Sequence, residues 1–97
     1  MRMFLRLEAR EALIDPDQVA PARVRFGEAM GKIVGSGKVE ASGVFADARG
    51  GIFILDVADE MELSGYVFGI LDIATVETHP LITGEQLQVF FAAEAAG

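Results

Sequence analysis

Cysteine and tryptophan are absent from the 97 residues, and histidine and tyrosine each occur once. Without cysteine there is no disulfide framework, no thiolate nucleophile and no Cys-ligated metal, which excludes a stapled secreted mini-domain. Basic residues are scarce: eight Lys and Arg stand against fifteen Asp and Glu, a formal net charge of -7. A surface of that sign repels phosphate backbones, so no nucleic-acid partner is expected. Long apolar runs are lacking as well. The richest, "YVFGILDIATV" from Tyr66 to Val76, contains Asp72 and falls far short of the ~20 residues a membrane helix needs, so no membrane partner is expected. The opening "MRMFLRLEAR" alternates charged and apolar residues, where a signal peptide has a basic head and an unbroken apolar run; the cytoplasm is the expected location. Glycines 35 and 37 follow a helix pattern instead of preceding one, so they make no phosphate cradle. No Ser, His and Asp triad is evident. No repeat, low-complexity segment or linker divides the chain, and residues 1–97 read as a single domain.

What is present is apolar: 52% of the residues are hydrophobic and the mean hydropathy is +0.37. A chain of this length buries roughly 60 to 65% of its unfolded surface, so part of the apolar excess is expected to meet another subunit. Residues 1 to 8 alternate Met3, Leu5 and Leu7 with Arg2, Phe4, Arg6 and Glu8, the period of a strand with two unlike faces. The period then lengthens. Val19, Ala22, Phe26, Ala29, Met30 and Ile33 recur as one helical stripe, opened at Asp15-Pro16 or Ala20-Pro21 and closed by Gly35 and Gly37. Residues 38–47 and 51–57 form a hairpin signal about "ARGG", whose glycines are expected to supply the positive φ of the reversal. Asp59 three residues before Glu62 caps a second helix, weakened by Gly65 and Gly69. Residues 73–79 return to strand composition up to Pro80. Thr83 three before Gln86 opens a short final helix carrying Leu87, Phe90 and Phe91, one phenylalanine expected on its own domain and the other free for a partner. The order β-α-β-β-α-β plus a terminal helix predicts an α+β, ferredoxin-like domain with one four-stranded antiparallel sheet. Helices cover one face of such a sheet; water or a partner covers the other.

Two segments resemble a known group. "GKVEASGVFADARGGIFILDVADEMEL", Gly37 to Leu63, and "FGILDIATVETHPLI", Phe68 to Ile82, are similar in their Gly-Lys strand, Gly-Gly turn, Asp-Glu helix start and Pro-Leu ending to YCII-related and muconolactone-isomerase-like proteins. The resemblance covers about half the chain. It implies a dimeric α/β barrel, a homodimer whose two open sheet faces meet and enclose a cavity; a small organic acid is the expected ligand there, and no cofactor is expected. YCII-like chains carry a His and an Asp in the first helix region, and muconolactone isomerases a His and a Trp in the second strand. Here the first helix has no His and the second strand offers Glu40, Ser42 and Val44, so neither constellation transfers.

The chemistry must therefore be sought in this chain's own residues. If Met3, Leu5 and Leu7 face the helices, Arg2, Phe4 and Arg6 face the open side, and on the last strand Glu77 and His79 fall beside them, opposite in sense to Ala74, Val76 and Thr78. Imidazole is the side chain that exchanges protons near neutral pH, and a carboxylate can fix its tautomer. His79 with Glu77 is then a candidate catalytic pair, and Arg2, Phe4 and Arg6 a candidate substrate-binding group in which arginine anchors an anion. The same residues also make an ordinary cross-strand charge network at an interface or rim. Glu77 and His79 could furnish two metal ligands, but no third is in sight, and no metal is expected. Asp56 and Asp72 interrupt apolar contexts and would need partners if buried. Two function classes remain open: an isomerase or lyase-like enzyme on a small oxidised organic acid, and a non-catalytic ligand-binding or accessory dimer. Cofactor-free oxygenation, as in the related antibiotic-biosynthesis monooxygenases, lacks its aromatic-rich pocket, since Trp is absent and Tyr66 stands alone.

Overall fold

Alternation along β1 (Arg2–Ala9) sorts its side chains as the period requires: Met3, Leu5 and Leu7 are buried, and the residues between them are not. The computed structural model describes residues 1–96. After β1 come α1 (Val19–Val34), β2 (Val39–Val44), β3 (Gly50–Asp56), α2 (Glu60–Val67), β4 (Ala74–Pro80) and α3 (Gly84–Ala96), with single 3-10 turns at 11–13, 16–18 and 68–70. The strands form one antiparallel sheet in the order β2-β3-β1-β4, and that order with two crossing helices is the ferredoxin-like arrangement. No helix among the described residues is long and apolar enough to cross a membrane.

The core lies between one sheet face and α1 and α2. Leu5, Leu7, Phe53 and Leu55 from the sheet meet Ala22 and Ile33 of α1 and Leu63 and Val67 of α2. The helical stripe read along α1 is the buried one, with Phe26, Ala29 and Met30 packed against that cluster. Asp15 and Pro16 open a 3-10 turn that leads into α1, and Gly37, at φ +75°, turns the chain out of it. At α2 the Asp59 carboxylate accepts from the Glu62 N–H at 2.9 Å, while Glu62 accepts from the Ala58 N–H at 2.6 Å, a reciprocal cap.

Two expectations need correction, at the β2–β3 turn and at α3. Positive φ in the β2–β3 reversal falls on Ala48 (φ +62°), not on a glycine. Gly50 serves close approach instead, because a Cβ there would collide with the Leu7 carbonyl of β1. Asp56 and Asp72 are exposed, so the condition of burial does not arise, and Asp72 forms a bidentate pair with Arg25 at 2.8 and 3.1 Å. The Lys38 Nζ lies 3.6 Å from Glu62. Phe90 and Phe91 are both exposed, at 64% and 53%. Neither packs on its own domain, because every residue from 82 to 95 is exposed and α3 projects from a molecule measuring 61 × 26 × 24 Å.

Candidate functional site

The helix-free face of the sheet is assembled by register. Opposed residues of an antiparallel pair share a face. β1 sets Phe4 opposite Ile54 and Arg6 opposite Ile52 on one side, and Phe4 opposite His79 and Arg6 opposite Glu77 on the other. The five residues singled out in the sequence, Arg2, Phe4, Arg6, Glu77 and His79, thus lie on one face, about the central strand. Phe4 and Ile54 are half-buried and Ile52 is 38% exposed, so an apolar centre sits among charges with no helix over it.

His79 and Glu77 stand two residues apart on β4, which points both the same way. The His79 Nε2 lies 3.1 Å from the Glu77 Oε2. With its proton on Nε2 the ring donates to the carboxylate, leaving Nδ1 as the free base. The Phe4 ring holds the imidazole from the next strand, centroids 5.9 Å apart and planes tilted by 34°. Both members of the pair are exposed in the single chain, at 61% for His79 and 49% for Glu77.

The arginines are not free. Arg6 donates to Glu8 at 2.7 Å and its guanidinium lies 5.1 Å from the centre of the Phe45 ring, a cation–π contact. Arg2 pairs with Glu40 at 2.9 Å. Glu8 was legible, because it continues the alternation of Arg2 and Arg6. Glu40 was not: a register shift between Val39 and Ala41 makes it the extra residue of a β-bulge, and a bulge re-aims side chains in a way alternation does not foresee. Arg2 and Glu40 also edge a shallow recess of about 340 Å³ that runs to Ile82 and Gln86 at the start of α3. Among the described residues no group of three or more His, Asp or Glu is placed to hold a metal ion.

Fold and face together define a ferredoxin-like α+β domain bearing an ionisable, helix-free sheet surface. No protein-family model matches the chain, and no curated protein matches it.

Proposed function

We propose that two copies of this chain pack open sheet face to open sheet face and that the chamber between them takes a small organic acid. The support is the half-exposed apolar centre of Phe4, Ile52 and Ile54, which a two-layer domain leaves wet and a second sheet would dry. The face carries both signs of charge, Arg2 and Arg6 with Glu8, Glu40 and Glu77, so a twofold copy can exchange ion-pair partners across the contact.

Within that chamber the reaction class is proton transfer, as in an isomerase or lyase-like enzyme. The observation that carries it is the His79–Glu77 contact at 3.1 Å. Glu77 holds the tautomer, and Nδ1 takes a proton from the carbon beside a carbonyl and returns it to a second carbon. Arg6 or Arg2 leaves its own carboxylate to hold the substrate's. A second reading, a non-catalytic ligand-binding or accessory dimer, draws on the fact that both guanidiniums already have carboxylate partners.

Sedimentation equilibrium tests the assembly: a single subunit that stays monodisperse at micromolar concentration removes the chamber and every role inside it. Native mass spectrometry of the dimer then looks for a co-purified acid. His79→Gln separates the readings, since loss of turnover with retained binding supports the enzyme, and unchanged binding and turnover end the candidacy of His79.

A further inference from the structure

On the helical side of the sheet, a half-open cleft of about 540 Å³ lies where β1 ends, between α1 and the β2–β3 turn. That volume is in the range of small-molecule sites, about 300 to 1,000 Å³. Its lining is apolar beneath, with Ile14, Ala22, Phe26 and Ile73, and charged at the rim. Ala22 and Ile73 are nearly buried, and Ile14 and Phe26 half so.

The rim charges are not equivalent. Arg23 donates through Nε and Nη2 to the two oxygens of Glu11, at 2.6 and 3.0 Å, so that pair is internally neutral. The Asp47 carboxylate accepts from the Arg49 backbone N–H at 3.0 Å. Arg49 itself makes no side-chain ion pair or hydrogen bond among the described residues. Its backbone is nevertheless fixed, because its carbonyl accepts from the Ala9 N–H at 2.7 Å and Gly50 lets the turn press against β1. The four rim charges cancel, and the Arg49 charge also falls on Glu11, but Arg49 is the one guanidinium at this rim whose donors are unspent among the described residues. Those free donors suit a carboxylate acceptor.

We propose that this cleft binds a small monocarboxylate with an apolar body, its hydrocarbon against Ile14, Phe26 and Ile73 and its carboxylate at Arg49. The site is separate from the open sheet face and does not depend on the dimer.

Gly27 supplies the steric probe. It lines the cleft from the interior of α1, and an added Cβ would meet nothing within 4 Å. Leucine is a better helix former than glycine, so Gly27→Leu intrudes on the cleft while the helix is kept. The test is an amide NMR titration of the full chain with octanoate and, in parallel, neutral 1-octanol. Octanoate is expected to shift the amides of Gly27, Ala48 and Ile73 saturably and to bind up to about fivefold more tightly than octanol, the factor an exposed ion pair confers. Arg49→Gln should remove that preference, and Gly27→Leu should abolish the shifts with the rest of the spectrum preserved. Equal binding of octanol and octanoate overturns the role of Arg49. No saturable shift at these amides, shifts at Phe4 and Ile54 instead, or an unchanged titration in Gly27→Leu overturns the site.

Discussion

The two faces of β1 are built from alternate residues of one eight-residue strand and live in different surroundings. Met3, Leu5 and Leu7 are at most 3% exposed, while Phe4, Arg6 and Glu8 are half-buried and Arg2 is exposed. On the first face each side chain is held by others from three elements, so its identity is set by volume and shape. On the second the chain spends a phenylalanine, two arginines and a glutamate on a surface that no helix of the subunit covers. Folding constrains the first face, which leaves the second free to be shaped by what it meets.

That contrast breaks most sharply with substitutions on either side of the strand. Leu5→Ala should cost about 2 to 5 kcal/mol, the transfer loss of the side chain plus the cavity left behind. Phe4→Ala should cost the single subunit under about 1 kcal/mol, because its ring is already partly wet. Urea denaturation at two protein concentrations measures both. A Phe4→Ala loss that matches Leu5→Ala and does not vary with concentration would mean that the open face is packed within the subunit. The next largest effect concerns assembly. Ile54→Lys puts a charge at the apolar centre and should weaken the proposed dimer by about 2 kcal/mol, close to thirtyfold in Kd, as for an interface anchor. The subunit's own unfolding should hardly move. Sedimentation equilibrium reads the first quantity and denaturation the second.

The strand periods, the α1 stripe and both reciprocal caps were legible in the sequence because each is set by residues within four positions of one another. The shared face of Arg2, Phe4, Arg6, Glu77 and His79 was legible too, from alternation combined with the ferredoxin-like strand order. What stayed hidden depended on non-local geometry. The bulge that presents Glu40 to Arg2 is a property of the β2–β3 register, and no local pattern marks it. Ala48 at positive φ looked unsuitable beside two glycines, yet Gly50 is consumed by its approach to the Leu7 carbonyl and the left-handed position falls two residues earlier. The cleft under α1 joins residues near positions 9 to 14, 22 to 27, 47 to 49 and 73, four segments that share no periodicity. Its apolar members read as core, which they also are.

A smaller effect separates the charges of the helical side by pH. The hydrogen-bonded Arg23 guanidinium holds the Glu11 carboxyl below its ordinary 4.5, and Arg25 likewise holds Asp72 below 3.8. A carboxyl depressed in the folded state adds stability above its unfolded value and loses it as pH falls through the folded one. Stability should therefore be level above pH 4.5 and decline below it as these two groups protonate. Both pairs lie at the surface, with Arg23, Arg25 and Asp72 exposed and Glu11 half-buried, so the decline should be shallow and flattened further by salt. Arg25→Gln should remove the Asp72 share, seen as a gentler acid limb in thermal scans; an unaltered limb would show that the pair does not couple to folding.

The smallest expected effect is at α3, and it sharpens the contrast between covered and uncovered surface. The Thr83 hydroxyl accepts from the Gln86 N–H at 3.0 Å, and the Gln86 side chain accepts from the Thr83 N–H at 2.7 Å, so α3 is capped as completely as α2. α2, however, buries Leu63 and Val67 in the core, whereas α3 leaves Val89, Phe90 and Phe91 exposed. A cap contributes about 1 kcal/mol to the helix it starts, and that energy reaches global stability only where the helix is docked. Thr83→Ala should thus reduce helical circular dichroism while leaving the subunit's melting temperature in place, because a free 13-residue helix is marginal on its own. A melting temperature that falls with Thr83→Ala, and falls further at higher protein concentration than at lower, would show that α3 is docked on a second copy.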